Sequence, residues 1–288
     1  MNSIKEVASF VESMDKQLRN ELLFKNGILQ EKKLWENTYI KHQIDRRNRG
    51  ECFTINDHIR AMVYSMLSSG IVWERVESGI DISTGKILPI DDIFHQYDVD
   101  YLLQCSPEQL KTEIEKIHCG SPYTMNQMSA LVNTNISKFQ NIEEQYGSID
   151  TYYQKFINKD SSLKSLVKQL SDPQSKDKLS QMAEALVAEY LKNVGYSIAK
   201  PDRHIRRILG SKILACSEYE EVPVYEAFDI VVDIAKEINK PVAEVDYILW
   251  SYCANGYGEI CTSKNPKCDK CVANSICRKI LEEENVEE

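Results

Sequence analysis

Four cysteines near the carboxyl end of the sequence have a spacing suited to metal ligation. The stretch CTSKNPKCDKCVANSICRK holds all four of them within 17 residues. Thiols this close in sequence can converge on one metal centre, whereas free thiols at this density would oxidise readily. The total of nine cysteines is odd, which argues against a disulfide framework. The predicted ligands are Cys261, Cys268, Cys271 and Cys277.

The spacing of these cysteines favours an iron–sulfur cluster over zinc. Structural zinc sites usually combine two short-spaced cysteine pairs, and the loop 261–277 contains only one CxxC. A [4Fe–4S] cluster accepts looser spacing, because its irons occupy the corners of a larger body. We therefore predict a [4Fe–4S] cluster as cofactor, with zinc as the alternative.

A single carboxylate among cations is the second candidate centre. In KPDRHIRRILG, Asp202 follows Pro201 and has four cationic side chains and a histidine within five residues. An acid placed this way often caps a helix, and capping alone is one interpretation of it. The other is that the carboxylate stabilises positive charge developing on a reacting carbon.

The elements that must position these residues are predicted to be helical nearly throughout. In INDHIRAMVYSMLSSG, apolar residues recur at intervals of three and four, and Gly70 ends the pattern. Residues 79–90, GIDISTGKILPI, are the one interruption, as a loop or short hairpin. About ten helices without strand alternation predict an all-α protein. We expect a central helical lobe at 53–190 and a second lobe from 1–52 plus 191–288, with a functional cleft between them.

Bulk charge gives no support for nucleic-acid binding, since the 288 residues carry a formal net charge of −9. The distribution is uneven, however, because residues 200–212 and 261–279 each carry a net charge of +4. The amino terminus lacks the apolar segment of a signal peptide, and no apolar run approaches membrane-spanning length. We expect a cytoplasmic monomer with no membrane partner.

The cysteine spacing and the Asp202 segment together resemble the endonuclease III and adenine-glycosylase branch of the helix-hairpin-helix DNA glycosylases. Asp202 precedes Cys261 by 59 residues, which matches the interval between that family's catalytic acid and its cluster loop. KPDRHIRRI is similar to the family's V-D-T-H-V stretch, and FTINDHIRAMVYSMLSSGIVWERV is similar to its opening helix. The resemblance runs from about Phe53 to Lys279. It implies two helical lobes flanking a DNA-binding cleft, a [4Fe–4S] cluster, and double-stranded DNA with a damaged or modified base as partner, bound in the nucleoid.

The resemblance gives Asp202 a specific task. Cleavage of a base–sugar bond develops positive charge on the deoxyribose, which a nearby carboxylate can stabilise while it activates water. The cations around it would hold the phosphates that flank an extruded nucleotide. The predicted DNA-binding residues are Arg203, Arg206, Arg207, Lys264, Lys267 and Gln181, and the predicted base-pocket residues are Trp73, Tyr123 and Asn126. Arg46, Arg47 and Arg49 form a further candidate phosphate patch, or simply a solvated charge run.

The sequence departs from the family at the hairpin. The family's L-P-G-V-G-x-K corresponds to LSQMAEA, with Gln181 and Ala183 in place of the two glycines and Ala185 in place of the lyase lysine. Without an amine nucleophile no Schiff base forms, so the expected enzyme is a monofunctional glycosylase that leaves an intact abasic site. Two alternatives stay open. One is a non-catalytic protein that binds DNA lesions, and the other is a zinc-stabilised helical interaction protein.

Overall fold

The chain is described by a computed structural model over residues 1–24, 31–69, 79–159 and 162–277. These residues form helices and loops, with one antiparallel bridge between Ile80 and Ile87 and no strand. The prediction of an all-α fold is confirmed. The helices are α1 Ile4–Phe24, α2 Tyr39–Asn48, α3 Ile55–Leu67, α4 Leu88–Ile93, α5 Val99–Leu102, α6 Pro107–Lys116, α7 Thr124–Ala130, α8 Ile136–Tyr146, α9 Ile149–Ile157, α10 Lys164–Ser171, α11 Glu184–Asn193, α12 Arg203–Ile208, α13 Val224–Glu237 and α14 Val242–Cys253.

The chain divides into two compact units with bounds that differ from those expected. One unit is Met1–Trp35 with Ser197–Glu288, and the other is Glu36–Tyr196. The expected boundaries at 53 and 190 separate α2 from the central lobe, but α2 packs on α11 within the second unit. Arg47 fixes this packing, since its Nε and Nη2 donate to the carbonyl of Val194 at 2.9 and 2.6 Å.

The unit Glu36–Tyr196 is built around α3. A capping box starts this helix, in which Thr54 and Asp57 each bind the other's backbone amide. The helix then buries its apolar side chains against α11, whose Tyr190 and Leu191 are fully buried. Burying a side chain of this size contributes about 1.5–3 kcal/mol. This packing holds α11 beside α3, and α10 packs on α11 in turn. Helices α10 and α11 flank the segment LSQMAEA, which corresponds to the family's hairpin.

The unit formed by the two ends of the chain carries Asp202 and the cysteines. Helix α1 packs against α13 and α14 with a buried stripe that includes Val7, Val11 and Met14. Helix α12 packs on α14 in turn. In the part of the chain that the structure describes, no helix has the length and apolarity needed to cross a membrane.

Candidate active site and cysteine cavity

Asp202 caps helix α12. Its backbone is extended, and its Oδ1 accepts hydrogen bonds from the amides of His204 at 2.8 Å and Ile205 at 3.2 Å. The capping interpretation is therefore correct as geometry. It leaves Oδ2 with no hydrogen-bond partner among the described residues, and the side chain keeps 18% of its surface exposed. One oxygen holds the helix while the other is available for chemistry.

The surroundings of Asp202 keep its carboxyl group ionised. Burial opposes ionisation, but the His204 side chain, the Lys200 ammonium and the Ile205 amide outweigh it and lower the pKa to about 2. The His204 Nδ1 atom lies 3.6 Å from Oδ1. The group is therefore a carboxylate throughout the neutral pH range, as stabilisation of a developing cation requires.

The arginines beside Asp202 differ in their contacts. Arg206 donates from Nε to the Val222 carbonyl at 2.6 Å and lies 3.7 Å from Glu221. Arg207 donates to the carbonyl and the Sγ atom of Cys261, the latter at 3.7 Å. Arg203 is exposed and makes no hydrogen bond or ion pair with the described residues. DNA binding by all three arginines stays a prediction. Of the three, Arg203 is the one whose side chain has no partner among the described residues.

The other basic side chains also divide into paired and exposed ones. Lys267 pairs with Glu259 at 3.3 Å, whereas the Lys264 side chain is exposed. The arginines of the candidate phosphate patch at residues 46–49 all form ion pairs with acidic residues of the same unit. Arg46 binds Glu51 and Asp57, Arg47 binds Asp150, and Arg49 binds Glu51, at 2.7–3.3 Å.

All four predicted ligand cysteines line one cavity. The other walls of the cavity include Met14, Ile208, Ile260 and Ala273. Within the described ranges, no three Cys, His, Asp or Glu side chains are placed to hold a single metal ion. The lining cysteines are Cys261, Cys268, Cys271 and Cys277.

The last turn of α14 supports two of these cysteines. The Tyr252 hydroxyl lies 3.6 Å from the Cys271 Sγ and 2.8 Å from the Gln17 Oε1, and it accepts the amide of Val272 at 3.1 Å. The buried Cys253 thiol is hydrogen-bonded to that of Cys261, which with burial raises its pKa well above the usual value. Tyr252 and Cys253 precede the cysteine loop on a separate helix, so the cysteine spacing alone did not reveal them.

Replacing Arg207 by Met is expected to loosen the cysteine loop. The variant loses two hydrogen bonds to Cys261 and keeps a stem of similar length, so the free energy of unfolding should fall by about 1.5–3 kcal/mol. Urea unfolding of both proteins measures the change. Arg203→Met is the matched control on the same helix, and an equal loss in that variant would contradict the link.

The predicted hairpin lies between α10 and α11. Gln181, at the position of a family glycine, adopts a left-handed backbone with φ of +60° and is exposed. Asn135 braces the hairpin, since its Nδ2 donates to the Ser180 carbonyl at 3.0 Å and its Oδ1 accepts the Ser180 amide at 2.8 Å. The Lys138 ammonium binds the carbonyls of Lys176 and Lys178. Hydrogen bonds from Asn135 and Lys138 thus hold a turn whose left-handed backbone glycine would adopt without strain.

A π-helical turn presents Asn135 to the hairpin. The sequence predicts one continuous helix over TMNQMSALVNTNISKFQNIEEQYG, but the structure has α7, a π turn at Leu131–Asn135, and then α8. Such turns are rare inside helices and frequently occur at functional sites. No local pattern predicts the contact, because Asn135 and Ser180 are 45 residues apart.

Asn135→Ala is expected to destabilise the hairpin. Two hydrogen bonds to the Ser180 backbone disappear, which should cost about 1–3 kcal/mol in the free energy of unfolding. Thermal unfolding compared with Asn133→Ala, an exposed residue of the same π turn, measures the effect. If both variants unfold at the same temperature, Asn135 does not brace the turn.

Two of the three predicted base-pocket residues, Tyr123 and Asn126, are exposed. Tyr123 precedes the first residue of α7 and is 56% exposed, and Asn126 is the third residue of that helix. Trp73 lies outside the described residues. Their neighbour Gln127 is buried and donates to the carbonyl of Met66, at the end of α3. The role of these residues in base recognition stays a prediction.

Comparison with known proteins identifies a solved structure of similar fold. It is the crystal structure of Methanocaldococcus jannaschii 8-oxoguanine glycosylase/lyase in complex with a DNA 15mer containing 8-oxoguanine. The TM-score is 0.50 at 17% sequence identity, and the match covers 83% of this chain and 96% of the other. No protein-family model matches the sequence, and no curated protein matches it by sequence. The chain therefore shares its all-α fold with this solved DNA glycosylase/lyase, over most of both chains.

Proposed function

We propose that this protein is a monofunctional DNA glycosylase, which hydrolyses the N-glycosidic bond of a flipped damaged or modified base. The observation that carries the proposal is Asp202, an ionised carboxylate with one oxygen in the helix cap and the other without a described partner. The similarity of fold to a DNA glycosylase/lyase supports it. The family that the sequence resembles has its catalytic acid at the start of a helix, as Asp202 is here.

The proposed reaction uses water as the nucleophile. As the base leaves with the electron pair of the C1′–N bond, the Asp202 carboxylate stabilises the cationic sugar and accepts a proton from the water that attacks C1′. The base takes up a proton, and the products are free base and an abasic site. The two amides on Oδ1 fix the orientation of the carboxylate, so its position need not be established during the reaction.

The protein's partner in this proposal is double-stranded DNA containing the target base. Exposed Arg203 and Lys264 are available for phosphates, and the exposed hairpin residue Gln181 lies just before the amino terminus of α11. That terminus has no side-chain cap, so its first amides can bind a phosphate. The neighbouring structure was solved with DNA containing 8-oxoguanine, which makes this base the first to test.

We further propose a [4Fe–4S] cluster in the cysteine cavity. Four soft thiol donors line one cavity, which fits this group. The presence of a single CxxC in the loop favours the cluster over zinc. When bound, the cluster would supply cross-linking of the loop rather than a redox step. Cys261, Cys268, Cys271 and Cys277 would hold it.

The absence of lyase activity is a separate part of the proposal. No lysine stands between Lys178 and Lys192 in the sequence, and the Lys178 ammonium binds the Ser171 carbonyl at 2.8 Å. The solved protein of similar fold is named a glycosylase/lyase. Borohydride trapping tests whether this protein has lyase activity, because a covalent protein–DNA adduct forms only through a Schiff base. We expect no adduct with this protein.

Base release from a panel of duplexes tests the main proposal. The panel contains 8-oxoguanine, other oxidised bases, alkylated bases, deaminated bases and mismatches. Release of one base in single turnovers, with an abasic site left uncleaved, is the expected result. Release of none of them would overturn the proposal.

A non-catalytic protein that binds DNA lesions is the second candidate. The hairpin favours it, because Asn135 occupies the Ser180 amide that a glycine-containing hairpin could offer to a phosphate. This candidate predicts preferential binding to one damaged duplex without release of its base.

Colourless protein that binds zinc and no DNA would instead support the zinc-stabilised helical interaction protein.

A further inference from the structure

Asp246 is a buried acid on α14 that contacts the segment leading to Asp202. Its side chain is 1% exposed. Its Oδ1 accepts the backbone amide of Lys200 at 2.7 Å, across 46 residues of sequence. A buried carboxylate costs free energy unless hydrogen bonds stabilise it, and the Lys200 amide is one of the groups that do so.

The bonded amide begins the turn that presents Asp202. The carbonyl of Lys200 accepts the amide of Asp202 at 2.7 Å, and the ring of the intervening Pro201 restricts the backbone. Asp202 then binds the first amides of α12. Three successive sets of hydrogen bonds thus connect Asp246 to the carboxylate of Asp202.

A second contact holds the same segment farther upstream. The amide of Ala243 donates to the Ser197 Oγ at 3.2 Å, so α14 holds the segment at Ser197 and again at Lys200. Ser197 precedes the turn by three residues and has no part in it. The contact at Ser197 therefore attaches the segment to α14 without touching the turn, whereas the contact at Lys200 acts on the turn itself. Removing each contact alone distinguishes the two effects.

We propose that Asp246 is a positioning residue for Asp202, which sets the direction of the catalytic carboxylate through the Lys200–Asp202 turn. The inference rests on the proposed glycosylase function. It goes beyond that function because it assigns the precision of the site to a residue that no substrate touches. A hydrogen bond to a charged acceptor is stronger than one to a neutral acceptor, which suits a carboxylate to this task.

Three variants test the proposal. Asp246→Leu has a similar shape and no acceptor, Asp246→Asn keeps the Oδ1 acceptor, and Ser197→Ala removes the upstream contact alone. We expect Asp246→Leu to lower the single-turnover rate about 100-fold, since small misplacements of catalytic groups have effects of this size. Its DNA dissociation constant should stay within about threefold of wild type. Asp246→Asn should restore most of the rate, and Ser197→Ala should retain it.

Amide exchange over residues 199–206 provides a readout that needs no activity. We expect faster exchange at Asp202, His204 and Ile205 in Asp246→Leu than in Ser197→Ala, because only the first variant frees the turn. If Asp246→Leu does not fold, as judged by circular dichroism, Asp246→Ala takes its place.

Two results would overturn the inference. One is a wild-type rate in the variant without an acceptor, and the other is equal loss of rate in that variant and in Ser197→Ala. If wild-type protein releases no base from any duplex, the proposed function fails, and exchange alone decides the role of Asp246. Equal exchange in the two variants would then contradict it.

Discussion

Asp202→Asn is expected to lower the rate of base release about 10³-fold, within the range for a positioned acid–base group. The amide of Asn keeps an oxygen for the amides of His204 and Ile205, so the cap on α12 survives. What disappears is the negative charge that faces the cationic sugar. Single-turnover kinetics with enzyme in excess isolate this step from binding and product release.

The DNA affinity and folding of this variant should stay close to wild type, since the replaced atom is outside the helix cap. Asp98→Asn is the matched control, because Asp98 caps α5 by accepting the amide of Tyr101 at 2.8 Å. Capping alone predicts that the two variants behave alike. Base release that survives in Asp202→Asn would remove the proposed mechanism, whatever the stability of the variant.

Residues whose roles depend on their neighbours in the chain could be predicted from the sequence. The position of Asp202 after Pro201 and before an apolar pattern predicts a helix cap, and the structure has that cap. The four cysteines are predicted as one group from spacing alone, and they line one cavity. Both features lie within a few turns of chain, where local geometry restricts what the residues can do.

Contacts between residues far apart in the chain could not be predicted from the sequence. The contacts that attach α2 to α11 run from Arg47 to Val194, 147 residues away, and no composition change marks that boundary. The hairpin shows the same limit. Loss of its glycines predicts a weaker turn, whereas the brace from Asn135 depends on a π turn that helical periodicity does not distinguish from an ordinary helix.

The two candidate centres are physically connected, which the sequence also did not indicate. Arg207 is predicted as a phosphate ligand because it stands five residues after Asp202, yet its guanidinium reaches the Cys261 Sγ at 3.7 Å. Helix α14 contacts both centres as well, through Asp246 near its start and Tyr252 near its end. Damage to the cysteine loop should therefore affect the part of the protein that holds Asp202.

Cys268→Ser is expected to have the largest effect on stability. The variant loses one of four thiols around the cavity, and in so small a loop metal binding energy is also folding energy. The free energy of unfolding should fall by more than about 4 kcal/mol, the range associated with loss of a bound metal. Iron per protein and the broad visible absorption of the purified variant should fall with it, and DNA affinity should weaken.

Cys105→Ser is the control, because Cys105 is a partly exposed thiol outside the cavity. It should retain iron, colour and stability. Chelation of the wild-type protein under reducing conditions should reproduce the Cys268→Ser phenotype without any substitution, since it removes the metal and leaves all four thiols. If Cys268→Ser folds and binds DNA normally, the cavity has no structural role. Wild-type protein that contains zinc and no iron would show that the simpler ion occupies the cavity in place of the cluster.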